Sequence, residues 1–261
     1  MYRAMARFNG SQHNEEIYID AKNSIEWNGT HYNQKAFNWT SPIDGTVYGT
    51  LFNFHGDRMD ARWEQPPYTK PPEHVVMFIK PQNTLNGHMQ PISLPKDVDT
   101  VEVGAGLGVV IGQTMSCVSD AVALDYVSGY TIVNDVTVPH DSFYRPDIKN
   151  KVRDGFCPVG PWVMDRSAIE NPNQLDMYVY VNEEQVYTNN MSNLDRPIEK
   201  LLADITEFMT LYPGDVIIVG RPLQAPLAKA DNHVVIDIPG VGRLENTIIE
   251  TATISTGGGR K

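Results

Sequence analysis

The stretch of this 261-residue chain whose residue types and spacing first suggest chemistry is VEVGAGLGVVIG, residues 101–112. Glycines at alternate positions suggest a loop whose backbone amides hold a phosphate. The spacing excludes that reading. A dinucleotide fingerprint needs G-x-G-x-x-G between a strand and a helix, whereas Gly104, Gly106 and Gly108 are followed by Val109 and a β-branched run that favours strand. A phosphate loop of the G-x-x-x-x-G-K-[ST] kind fails because Gln113 follows Gly112. Taken as a strand, residues 102, 104 and 106 share one face, which carries Glu102 and then two positions without side chains. Such glycines pack nothing, so a ligand or a neighbouring backbone must approach closely. The only cysteines, Cys117 and Cys157, supply neither a disulfide framework nor a CxxC metal site, and are expected as two reduced, buried thiols.

These residues need elements to hold them. A hydrophobic fraction of 41% and a charged fraction of 20% describe an ordinary globular composition. The formal net charge of −11 argues against nucleic acid as a partner, because phosphate affinity needs clustered Lys and Arg. No apolar run approaches the roughly 20 residues that span a bilayer. The N-terminus MYRAMARFNG has no continuous apolar stretch of the secretory kind, so a cytoplasmic location away from membranes is expected. Residues 1–45 read as a small antiparallel β unit, with Asn28-Gly29 as a hairpin turn. GTVYGTLFNF, HVVMFIKP, YTIVNDVTV and VIIVG read as strands, HVVIDI and RLENTIIE as a late hairpin, and residues 256–261 as a disordered tail. Ser119 can cap a helix over DAVALDYV, and the periodicity of RPIEKLLADITEFMTL predicts a helix over Arg196–Leu211 that buries one face of Ile198, Leu201, Leu202, Ile205, Phe208 and Met209. Strands dominate, so the expected class is α+β, mostly β.

The order FIKPQNT, GLGVVIG, ALDYVSGYTIVND, SFYRPDIKNKVRDGFCPVGPW, LLADITEFMTLYPGDVIIVG and GVGRLENTI resembles the fumarylacetoacetate hydrolase family. SFYRP followed by RDGFCP is similar to the branch that isomerises and decarboxylates in 4-hydroxyphenylacetate (homoprotocatechuate) catabolism. There two related halves are often fused, and the N-terminal half is the nearer match. The resemblance implies a mixed β-roll over residues 46–255. It also implies a divalent metal, usually Mg²⁺, held by an E-x-E pair on one strand and an aspartate on a later one. Hard cations take carboxylate oxygens, and alternate strand positions set two side by side. The metal would chelate a 2-oxo acid and stabilise its enolate.

Carried over residue by residue, the metal aspartate is Asp135, while the E-x-E positions fall on Gly104 and Gly106, with Glu102 one strand step early. The lysine that would steady an enolate or move a proton is Lys151. The family's substrate-touching threonine is replaced by Arg221, and of the H-x-x-E segment only His55 is near, out of register. Lys80, Tyr144, Arg145, Arg153 and Arg221 are the expected substrate-binding groups, since arginine matches carboxylates bidentately. One function implied is a subunit acting on 2-hydroxyhepta-2,4-diene-1,7-dioate or 5-oxopent-3-ene-1,2,5-tricarboxylate, as a homodimer or heterodimer. The other is a metal-deficient, non-catalytic partner of a homologous chain with a complete site. A small-molecule binding protein is a third, which explains the pocket alone.

Overall fold

The computed structural model describes residues 1–20, 23–57, 63, 70–140 and 147–251. Its N-terminal strands β1 (Tyr2–Phe8), β2 (Glu15–Ile19), β3 (Ile25–Trp27) and β4 (Thr30–Tyr32) form an antiparallel meander. The turn at Asn28-Gly29 has positive φ at both residues, the geometry that joins short strands with the correct twist. This unit is not separate: β1 pairs with β13 (Cys157–Asp165), and the short β5 (Trp39–Thr40) pairs with β1. Phe8 stacks on Phe37 at 4.3 Å between ring centroids, and Trp39 meets Trp162 at 6.1 Å. The N-terminal aromatics therefore belong to the main core.

After β6 (Val47–Leu51), β7 (Val76–Lys80), β8 (Leu85–Asn86), β9 (Ile92–Leu94) and β10 (Val101–Glu102) come β11 (Ala105–Ile111) and β12 (Val127–Asn134). Beyond β13 lie β14 (Asp176–Val181), β15 (Glu184–Asn190), β16 (Val216–Ile218), β17 (Leu227–Ala228), β18 (His233–Ile238) and β19 (Gly242–Glu250). Among the described residues the large sheet runs β4-β3-β2-β1-β13-β12-β11-β16-β6-β7, and a second runs β15-β14-β18-β19-β9. Pairing is mixed, since β16–β6 and β19–β9 are parallel. Every residue of β11 is buried, as are all of β12 but Ser128, so both faces of the sheet centre are covered. Trp162, fully buried on β13, donates its indole N–H to the Val241 carbonyl at 2.7 Å and locks the two sheets together.

Helices are short: α1 (Asp120–Ala123), α2 (Ile148–Lys151) and α3 (Ile198–Thr206). The predicted face of α3 holds, with Ile198, Leu201, Leu202 and Ile205 fully buried. The helix ends well before Leu211, however, because the Thr206 carbonyl accepts the Cys117 amide at 2.7 Å and Leu211 pairs with Met115. Phe208, expected on the buried face, is 65% exposed. Ser119 makes no side-chain cap. Among the described residues no helix is long and apolar enough to cross a membrane. The expected tail lies outside the described residues.

Candidate functional site

Asp135 follows the last residue of β12, and the apolar run of that strand carries it into the interior, where it has no exposed surface. Lys80 closes β7, whose alternation reverses the sequence expectation of a buried apolar strand. Ile79 is 55% exposed, and it is Lys80 that points inward, 1% exposed. The reason is strand alternation: successive side chains of β7 point to opposite faces, and it is the Lys80 side that meets the core. Lys80 Nζ donates to the carbonyls of Lys151 at 2.7 Å and Val136 at 3.2 Å, and forms an ion pair with Asp135 Oδ1 at 2.9 Å, an oxygen that accepts no hydrogen bond among the described residues. Lys151 ends α2, which Asp147 caps by accepting the Asn150 amide. Its Nζ donates to Asp135 Oδ2 at 2.7 Å and to Thr137 Oγ1 at 2.9 Å, and sits 4.7 Å from the centre of the Phe78 ring. Arg221, just past β16, places Nε 3.6 Å from Asp135 Oδ2 and Nη2 2.5 Å from Glu102 Oε2.

Lys80, Lys151 and Arg221 thus surround Asp135 and Glu102. Burial alone would push the Asp135 carboxyl up, but Lys151, Lys80 and Arg221 hold it well below the usual carboxylate range. Burial pushes the Lys151 ammonium down to about 8, against the pull of Asp135 and with the help of Arg221 and Lys80. Such an amine exchanges a proton readily near neutral pH. The neighbouring Cys157 thiol is pushed up to about 12, chiefly by burial, and stays neutral. Cys117, expected buried, is exposed.

The glycine run is not one strand. It breaks at Val103-Gly104, between β10 and β11, so Glu102 does not continue the face of Gly104 and Gly106. Glu102 instead exchanges backbone hydrogen bonds with Thr137, and the Gly104 carbonyl accepts the Asp135 amide. A Cβ on Gly104 would lie 2.3 Å from the Asp135 carbonyl oxygen, and one on Gly106 would lie 2.7 Å from that of Gly220. Close backbone approach explains these glycines. A divalent metal does not fit the residues present. Both Asp135 oxygens face ammonium groups and Glu102 faces a guanidinium, whereas a hard cation needs several free oxygen ligands. Among the described residues no group of three or more His, Cys, Asp or Glu is placed to hold a metal ion.

Of the other expected site residues, Tyr144 and Arg145 lie outside the described residues. Arg153 turns back to donate to the Lys149 carbonyl at 3.0 Å, and His55, 77% exposed in its side chain, faces Asp195 at 3.3 Å. Thr137 and Phe78 were not anticipated. The only local signal for Thr137 was its place two residues after Asp135. The cavity against Arg221, lined also by Phe52 and Leu223, measures about 10 Å³. A larger one of about 500 Å³ lies elsewhere, against His31, Arg243 and Glu245.

A mixed β-roll with a buried Asp–Lys pair beside a split glycine strand defines a fumarylacetoacetate hydrolase type of domain, and residues 46–249 match the family model "Fumarylacetoacetate (FAA) hydrolase C-terminal". The chain belongs to the fumarylacetoacetate hydrolase family. It is 36% identical over 217 residues to the 4-hydroxyphenylacetate degradation bifunctional isomerase/decarboxylase of Escherichia coli, covering 82% of this chain and 49% of that protein. The chain therefore spans about half the length of the curated relatives it matches. Among solved structures it resembles 5-carboxymethyl-2-hydroxymuconate delta-isomerase from Mycobacterium smegmatis, with a TM-score of 0.77, 26% identity, and coverage of 96% of this chain and 100% of that one. The fold is shared with a maleylpyruvate hydrolase from Sphingobium sp. SYK-6 in complex with manganese (II) ion and pyruvate, at 23% identity and a TM-score of 0.75, covering 95% of this chain and 100% of that one.

Proposed function

We propose that this chain works in an isomerase/decarboxylase system of aromatic catabolism as its metal-free member, paired with a homologous chain that carries a complete carboxylate set. The substrates of that system are 2-oxo and enol di- and tricarboxylic acids, and its place is the cytoplasm. The observation that carries this reading is the consumption of Asp135. The carboxylate that would anchor a metal is paired with Lys80 and Lys151 and lies 3.6 Å from Arg221. The half-length match to a bifunctional relative supports a division of labour between two homologous domains. In such a pair this chain contributes contact surface and loop support, and the partner performs the metal-dependent decarboxylation.

A second reading is favoured by Lys151 alone. Its ammonium, depressed to about 8, suits metal-free isomerisation, which needs only removal of a proton from one carbon and its return to another. Lys151 Nζ would accept and return that proton, while Lys80 and Arg221 supply positive potential to the enolate. One experiment separates the readings. The purified chain is assayed for ketonisation and decarboxylation of 2-hydroxyhepta-2,4-diene-1,7-dioate and 5-oxopent-3-ene-1,2,5-tricarboxylate, in EDTA and in MgCl₂, with and without a homologous full-site chain. Native mass spectrometry of the mixture reads the pairing. The partner reading expects a heterodimer and turnover only in the mixture. Mg²⁺-dependent turnover by the chain alone refutes it, and chelator-resistant isomerisation abolished by Lys151→Met selects the second reading.

A further inference from the structure

We infer that the Arg221 guanidinium is a built-in bridging cation, which links the Glu102 and Asp135 carboxylates and fixes the short strand β10 onto the floor of the site without any bound metal. The inference rests on the metal-free reading above. Arg221 is only 3% exposed, and its guanidinium lies against two carboxylates carried by different segments: Nη2 donates to Glu102 Oε2 at 2.5 Å, while Nε, which has no hydrogen-bond partner among the described residues, forms an ion pair with Asp135 Oδ2 at 3.6 Å. Neither lysine can make that link. The donors of Lys80 are directed at Asp135, Val136 and Lys151, and those of Lys151 at Asp135 and Thr137. An arginine fork with five donors suits a two-carboxylate bridge in a way a point-like ammonium does not.

The segment that Arg221 restrains needs a tether. Strand β10 has two residues, Val101 and Glu102, and its pairing consists of the equally short β17 and one bridge to Thr137. That bridge is made of Glu102 N–H to Thr137 O at 2.8 Å and Thr137 N–H to Glu102 O at 3.3 Å. Thr137 in turn accepts from Lys151. Holding Glu102 therefore holds the Thr137 hydroxyl under the lysine. A bound divalent cation clamps carboxylates from separate strands in the same manner. Here the clamp is covalently attached to the chain, so Arg221 is a positioning residue and the assembled site is indifferent to chelators.

The test compares wild type, Arg221→Ala, Arg221→Lys, Glu102→Gln and the Arg221→Ala/Glu102→Gln double variant by hydrogen exchange and thermal melting in EDTA. Exchange at the Glu102 and Thr137 amides is expected to rise roughly tenfold or more in Arg221→Ala. The amides of the β18–β19 hairpin should stay unchanged, and Arg221→Lys should restore little of the protection, because a point-like ammonium does not span both carboxylates. Glu102→Gln should accelerate the same two amides, and the double variant should lose no more than Arg221→Ala alone. Unchanged local exchange in Arg221→Ala, full rescue by lysine, or additive losses in the double variant would overturn the inference. If Arg221→Ala does not fold, Glu102→Gln decides: wild-type exchange at Thr137 refutes the bridge. Stabilisation of the wild-type chain by MnCl₂ would instead sink the metal-free reading.

Discussion

Replacing Lys80 with methionine tests the charge cluster most directly. The substitution keeps an unbranched side chain of similar length and removes only the ammonium. The Lys151 and Val136 carbonyls then lose their donor at 2.7 and 3.2 Å, and Asp135 Oδ1 loses the counter-charge 2.9 Å away. Removing one partner of a buried ion pair costs about 3–5 kcal/mol, because the other charge stays buried and under-compensated. For a domain of this size each kcal/mol moves Tm by roughly 2–4 °C, so a fall on the order of 10 °C is expected. Asp135→Asn should cost a similar amount, since it leaves the buried lysines and Arg221 facing a neutral amide. The double variant should lose little more than either single, which gives a coupling energy of about 3 kcal/mol. Urea midpoints and m-values followed by circular dichroism at neutral pH measure all four corners of the cycle. Strict additivity, or a Lys80→Met variant within about 1 kcal/mol of wild type, would refute the account of Asp135 as a carboxylate neutralised from within the chain.

Gly104→Ala and Gly106→Ala should each destabilise by about 1–3 kcal/mol or more, because the added methyl meets the carbonyl oxygen of Asp135 or of Gly220, and at Gly106 the Ile218 side chain as well. Gly104→Glu with Gly106→Glu should therefore give poorly folded protein instead of a metal site, as read by soluble yield and melting. Burial pushes the His88 imidazole down to about 4 from an ordinary 6.5. The unfolded chain thus binds more protons in that interval, so the stability linked to neutral His88 is complete above pH 6.5 and is lost as pH falls toward 4. His88→Asn should flatten that acid limb, by up to about 3 kcal/mol, in urea midpoints taken across the interval. Lys151 should titrate near pH 8, read by ¹³C resonances after reductive methylation. Arg221→Met should raise that midpoint, because one of the cations that depress it is gone.

The sequence by itself determined the family, the mostly β class, the late hairpin and most of the buried face of α3, and it singled out Asp135 and Lys151, which the fold brings into contact. Local pattern carries all of these. Motif order, alternation and helical periodicity relate residues to near neighbours, and β12 and α2 deliver Asp135 and Lys151 from segments close in the chain. Sequence also marked Gly104 and Gly106 as positions where something approaches closely. What approaches was decided only by the tertiary structure: the main chain of Asp135 and Gly220 and the Ile218 side chain, with the strand broken at Val103-Gly104. The inward turn of Lys80 depends on which face of β7 meets the core, which no window of residues around HVVMFIKP reveals. The Glu102–Arg221 bridge joins residues far apart in the chain, and buried charges choose partners by proximity in the folded interior. Asp135 appears in the sequence as a single metal ligand left behind. Folding supplies its cations, because a carboxylate with no solvent contact must be neutralised by whatever charges the strands bring beside it.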